Sequence, residues 1–82
     1  MFLLFNLTQQ KGNMNMYTGT IKWFNFKKGY GFIAPENGDK DIFVHITKLE
    51  EKGIKHLNDG QRVSYEPYDD RGRIAAGEIK IL

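Results

Sequence analysis

Lys28-Gly29-Tyr30-Gly31-Phe32-Ile33, preceded by Lys22-Trp23-Phe24 and followed by Phe43-Val44-His45, constrains this chain more than any other stretch. Side chains on a strand alternate between faces with a period of two. Tyr30 and Phe32 therefore share one face of one strand, and Phe43 and His45 share one face of another. Gly31 and Ile33, then Ile42 and Val44, make the opposite face aliphatic or bare. A sheet in water turns its aliphatic side to the core and normally presents polar groups outside. Here the outer face carries rings, with lysines beside them. Burying both faces would require covering layers, and 82 residues with almost no helical patterning cannot supply them. Rings left in water beside cations suit the π-faces and phosphates of an unpaired nucleic-acid strand.

A chain this short holds one core. It has no cysteine, so neither a disulfide framework nor a thiolate metal site is available, which favours the cytoplasm over a secreted setting. The net charge of +2 is too small to demand a nucleic-acid partner, but its placement is informative. Lys22, Lys27 and Lys28 all precede the first acid, Glu36, so the aromatic segment opens in a basic stretch. Those lysines would equally serve to keep a strand edge from aggregating. Near the start, Phe2-Leu3-Leu4-Phe5 is apolar, but Asn6 interrupts it. A secretory core needs about 7–15 apolar residues and a membrane span about 20, so no membrane partner is expected. Residues 1–15 are read as an N-terminal extension outside the barrel, with an added strand or clasp as the alternative, and residues 16–82 as the domain.

Tyr17 to Phe24 is rich in β-formers and is predicted as the first strand. Asn25 to Gly29 turns the chain into a second, Tyr30 to Ala34, ended by Pro35. Asn37-Gly38 is a hairpin signal because both residues tolerate positive φ. A third strand runs from Asp41 to His45 or Ile46. Thr47-Lys48-Leu49-Glu50 fits a capping box, and Gly53 stops the helical turn that it starts. Arg62 to Glu66 is the fourth strand, with Pro67 at its edge, and Arg73 to Ile81 the fifth. The fold class that follows is all-β: a five-stranded antiparallel barrel of OB type with one short helical turn after strand three. Closure removes the edges that a small open sheet exposes. Its expected core is Ile21, Ile33, Ile42, Val44, Leu49, Leu57, Val63, Ile74 and Ile79. Strands two and three form the usual ligand face of an OB-fold.

Gly19-Thr20-Ile21-Lys22-Trp23-Phe24-Asn25, Lys28 to Ile33, Asp41-Ile42-Phe43-Val44-His45 and Leu57-Asn58-Asp59-Gly60-Gln61 resemble the successive blocks of bacterial cold-shock proteins. Gly72 to Ile79 is similar to that family's last strand, and the resemblance covers residues 16–82. It implies a barrel that binds single-stranded RNA and DNA with little sequence preference, an RNA chaperone and regulator of transcription and translation without enzymatic activity. By the same resemblance, Lys22 and Lys28 meet phosphates. Trp23, Phe24, Tyr30, Phe32, Phe43 and His45 stack on bases or line the platform. Trp23 and Phe24 are neighbours, so showing both on one face needs a bend or bulge. Asp41 resembles the family's base-edge acid, though turn chemistry after Gly38 explains it equally. Arg71 and Arg73 approach the ligand backbone or else answer Asp69 and Asp70. Ile46 and Ile54 stand where the family often has rings, which implies two rim subsites without a full stack. No cofactor or metal is implied. A monomer is expected, with strand exchange as a route to a dimer.

Three rival readings are weaker. An RNA-recognition motif shares the start of its signature with Lys28 to Phe32 but needs two full helices, and Pro35 falls where that signature wants a ring. A nuclease could be imagined on His45, His56 and scattered carboxylates, yet no nucleophile elbow, phosphate loop or metal-ligand spacing is present. A protein-interaction barrel would share the fold without responding to oligonucleotides.

Overall fold

Five strands and one helical turn follow each other as β1 (Tyr17–Asn25), β2 (Tyr30–Pro35), β3 (Ile42–His45), α1 (Ile46–Glu50), β4 (Arg62–Asp70) and β5 (Arg73–Ile81). The computed structural model describes residues 16–82, and the N-terminal extension expected over residues 1–15 lies outside the described residues. The strands close into a barrel in the order β1-β2-β3-β5-β4, with β4 pairing back onto β1. Four of these seams are antiparallel, and the β3–β5 seam, with Phe43 opposite Ala75, is parallel. An odd number of strands in a ring cannot all alternate direction, so one parallel seam is unavoidable.

The alternation expected of β2 is complete: Gly31, Ile33 and Pro35 are buried, while Tyr30, Phe32 and Ala34 are half-exposed. Ile21, Ile33, Val44, Val63 and Ile79 fill the barrel, and Leu49 from α1 joins the same cluster. Ile42 and Leu57 pack at its margin. Ile74 departs from the expected core set: it is 52% exposed, and Tyr65, 1% exposed, is a large buried side chain instead. Tyr65 lies two residues from buried Val63 and shares its side of β4, while Ile74 lies near the turn end of β5, opposite Asp69. The β4–β5 register shifts between Ser64 and Glu66, and Val63, Ser64 and Tyr65 are all buried in succession. Opposite this shift Glu78 takes a positive φ of 49°.

Two local expectations are also corrected. Pro67 lies inside β4 rather than at its end, opposite Ala76 of β5. The β1–β4 pairing finishes at Tyr17–Tyr65, so at Pro67 β4 has only β5 as a partner, the edge setting in which sheets tolerate proline. The helix cap is His45, not Thr47: the His45 Nδ1 accepts the Thr47 N–H at 3.2 Å. Gly53 (φ 70°) follows the turn, and its N–H donates to the Glu50 carbonyl at 3.1 Å. Asn37-Gly38 turns as expected, with the Asp39 N–H donating to Asn37 Oδ1 at 2.9 Å and Gly38 at φ 86°.

Candidate nucleic-acid interface

The outer face of β1, β2 and β3 gathers five rings. Antiparallel pairing sets Tyr30 opposite His45 and Phe32 opposite Phe43. On the other side of β2, Trp23 stands opposite Phe32. Trp23 meets Tyr30 and Phe32 edge-on, each with centroids 5.5 Å apart. Phe43 lies 5.9 Å from both Phe32, edge-on, and Tyr30, nearly parallel at 26°. His45 extends the row 6.4 Å beyond Phe43. Edge-to-face and offset contacts at these separations are favourable for aromatic pairs, so neighbours hold each ring in place. Trp23 is 37% exposed, the only Trp of the chain, and Tyr30, Phe32 and Phe43 are half-buried.

A β-bulge aims the first of these rings. Ile21 pairs with Ile33 and Trp23 with Phe32, so β1 carries one residue, Lys22, with no counterpart on β2. Alternation is reset there. Ile21 points in, Lys22 and Trp23 are both exposed, and Phe24 turns back. A bulge was expected in order to bring Phe24 and Trp23 to one face. It instead shows Lys22 together with Trp23, and Phe24 packs against the core, 4.6 Å from Phe26. Phe24 therefore stands apart from the ring cluster.

Charges sit around the rings in three ways. Lys22 Nζ and Asp41 Oδ2 form an exposed ion pair at 2.7 Å, so Asp41 answers a lysine rather than only a turn. Lys28 is exposed in the β1–β2 turn, where its N–H donates to Asn25 Oδ1 at 2.8 Å and Gly29 takes φ 85°. Arg73 lies over the Phe43 ring, its guanidinium carbon 3.9 Å from the centroid. Arg71 sits in the β4–β5 turn at φ 56°, and none of its described contacts reaches the rings. Neither arginine pairs with Asp69 or Asp70 among the described residues; Asp69 Oδ1 accepts the Gly72 N–H at 2.8 Å instead. Ile46 lies beside Gly29, next to the platform's end, and its N–H donates to the Gly29 carbonyl at 2.9 Å. Ile54, expected at a rim subsite, packs against the core.

Stacking on Phe43 by Arg73 carried no signal in the sequence beyond a cation near the turn, because it depends on the parallel β3–β5 seam. Among the described residues no group of three or more His, Asp or Glu converges as a metal site would require, and no helix is long and apolar enough to cross a membrane.

An OB-type barrel with an outer aromatic face flanked by cations defines a class of ligand-binding β-domain. Residues 17–82 match the family model described as the 'Cold-shock' DNA-binding domain. The chain is 49% identical over 67 residues to a probable cold shock protein of Sinorhizobium fredii, covering 79% of this chain and 97% of that protein. It is 46% identical over 67 residues to the major cold shock protein of Micrococcus luteus, covering 82% of this chain and 100% of that one. With a cold shock-like protein of Escherichia coli K12 it shares 51% identity over 53 residues, covering 65% and 77%. The chain belongs to the cold-shock domain family, a family of nucleic-acid-binding proteins.

Proposed function

We propose that this protein binds single-stranded RNA and DNA with little sequence preference, by stacking bases on Trp23, Tyr30, Phe32, Phe43 and His45. In the cytoplasm it acts as an RNA chaperone and as a regulator of transcription and translation, without chemistry on the strand. The observation that carries this reading is the ring cluster on the solvent side of three strands whose other side is the core. Every base has a π-face, so a platform of rings tolerates any sequence. A duplex hides those faces and leaves only phosphates to meet. One chain carries every ring, so a monomer suffices.

Trp23 reports binding directly. Titration with a pyrimidine-rich single strand is expected to quench its fluorescence, the matching duplex to compete weakly, and labelled RNA to remain intact. Equal affinity for the two forms, or cleavage lost in His45→Ala, contradicts the reading.

Salt dependence separates rings from charge. Lys22 is engaged by Asp41 and Arg73 by Phe43, while Lys27 and Lys28 are exposed at the turn. With about three phosphates neutralised, and about 0.7 log unit lost per phosphate for each tenfold in salt, the log–log slope should be near −2. Lys28→Gln should flatten it by about 0.7. A slope steeper than about −5 would mean that charge supplies the affinity.

We also assign the whole binding unit to residues 16–82, because the closed barrel and the ring face are complete within them. A 16–82 fragment should fold and quench like the full chain. An insoluble or unfolded fragment would place Phe2 to Phe5 in the folding unit.

A further inference from the structure

His45 has two structural roles at one end of the ring row. It is the last residue of β3, opposite Tyr30 and with its ring centroid 6.4 Å from that of Phe43. It is also the N-cap of α1, in extended backbone at φ −97° and ψ 150°. One ring nitrogen is tied down. Nδ1 accepts the Thr47 N–H at 3.2 Å, and the Thr47 hydroxyl oxygen lies 3.1 Å from the same nitrogen. His45 is exposed, and among the described residues its Nε2 has no protein partner.

Those contacts fix the form of the ring. A backbone N–H can only donate, so Nδ1 must offer a lone pair. An imidazolium carries N–H on both nitrogens and cannot accept, so the capping ring is neutral. A neutral imidazole with a bare Nδ1 holds its proton on Nε2. The Thr47 hydroxyl can take either role, and beside a bare Nδ1 it is a second donor.

The Nε2–H bond lies in the plane of the ring, at right angles to the direction in which a base stacks on the ring's face. A base on that face therefore leaves this donor to the backbone of the strand. The same end of the platform already holds a cation. Lys28 is exposed in the β1–β2 turn, and the Ile46 N–H ties that turn to His45's neighbour by donating to the Gly29 carbonyl at 2.9 Å. We propose that His45, as a neutral imidazole, donates its Nε2–H to a phosphate oxygen of the bound strand, and that Thr47 is the positioning residue that holds the ring and its tautomer. The inference rests on the single-strand reading above. A ring fixed before the strand arrives loses less freedom on binding.

Hexathymidylate binding in mildly alkaline buffer, followed by Trp23 quenching, tests both residues. His45→Phe keeps a ring face but removes the donor, and should weaken binding about tenfold. Because the donor carries no charge, the log–log salt slope should match that of the unchanged protein. A slope flattened by about 0.7 would make His45 a cation and overturn the proposal. Thr47→Val removes the hydroxyl and should weaken binding about threefold, while Thr47→Ser should restore it. Both Thr47 variants keep the histidine, so the test stands even if His45→Phe, which also loses the cap, fails to fold. Hexadeoxyadenylate offers the same phosphates but no base carbonyl, so each loss should be equal with it; a loss confined to hexathymidylate would overturn the phosphate assignment. Proton–nitrogen correlation spectra of the complex should show a bare Nδ1 and a proton on Nε2 that is shielded from exchange with water. A proton on Nδ1, or Thr47→Val binding as tightly as the unchanged protein, would overturn the proposal and leave the platform intact. Failure of hexathymidylate to quench Trp23 in the unchanged protein would overturn the single-strand reading, and this inference with it.

Discussion

Replacing Trp23, Phe32 or Phe43 by alanine, one at a time, is expected to weaken single-strand binding by about 1–3 kcal/mol, the worth of a base stacked on one ring. That is about 5- to 150-fold in affinity. Each variant should still fold, since the three rings lie outside the barrel's buried cluster. They do touch one another, with centroids 5.5–5.9 Å apart, so each truncation gives up aromatic contacts worth about 0.5–1.5 kcal/mol. Leu49→Ala is the contrasting case. Leu49 is wholly buried in the core, and its truncation should cost about 2–5 kcal/mol of stability with little change in the affinity of the folded fraction. Thermal melts and oligonucleotide titrations on the same samples decide between the two behaviours. Ring variants that unfold like Leu49→Ala, yet bind normally when folded, would make the rings a second core and end the platform reading. Phe24→Ala, on the core side of β1, should behave more like the core variant.

Gly31→Ala should lose about 3 kcal/mol of stability, at the upper end of the usual cost of forcing atoms into a packed site. Gly31 lies between Tyr30 and Phe32 on the buried face of β2, directly across from Phe24. A Cβ there would run into the Trp23 carbonyl oxygen and come within 2.7 Å of the Phe24 Cα and 2.6 Å of its ring. Two of those three atoms are backbone, so no side-chain rotation relieves the clash. β1 would have to move away from β2, and Trp23 would leave the position that its bulge gives it. Binding should therefore weaken along with stability. Gly38→Ala is the control: its Cβ would meet nothing within 4 Å, and only the positive φ of 86° is penalised, at about 1–2 kcal/mol. If denaturant unfolding showed Gly31→Ala as stable as Gly38→Ala, close approach of β1 and β2 would not be what demands this glycine.

Much of the architecture was legible because strand periodicity and turn chemistry are local. Alternation alone put Tyr30 with Phe32 and Phe43 with His45, and both pairs do share the outer face. The turns at Asn25–Gly29 and Asn37–Gly38 follow from residues that accept positive φ. A bulge near Trp23 was expected for the wrong pair: it puts Lys22, not Phe24, on the outer face with Trp23. Its position was not legible: whether the extra residue is Lys22 or a neighbour depends on which β1 residue best fits against Ile33 and Gly31 across the seam.

Tertiary structure decided what depends on seams between distant strands. The register shift between Ser64 and Glu66 belongs to the β4–β5 pairing, and no pattern within either strand announces it. Three-dimensional proximity, not spacing, pairs Lys22 with Asp41, nineteen residues along the chain. The parallel β3–β5 seam lays Arg73 on Phe43. The sequence by itself determined which side chains face water and which turns join the strands, because a two-residue period and a glycine's freedom act over a few bonds. The closed barrel determined which of those exposed groups meet, because that is set by the way five twisted strands satisfy their backbone hydrogen bonds around one core.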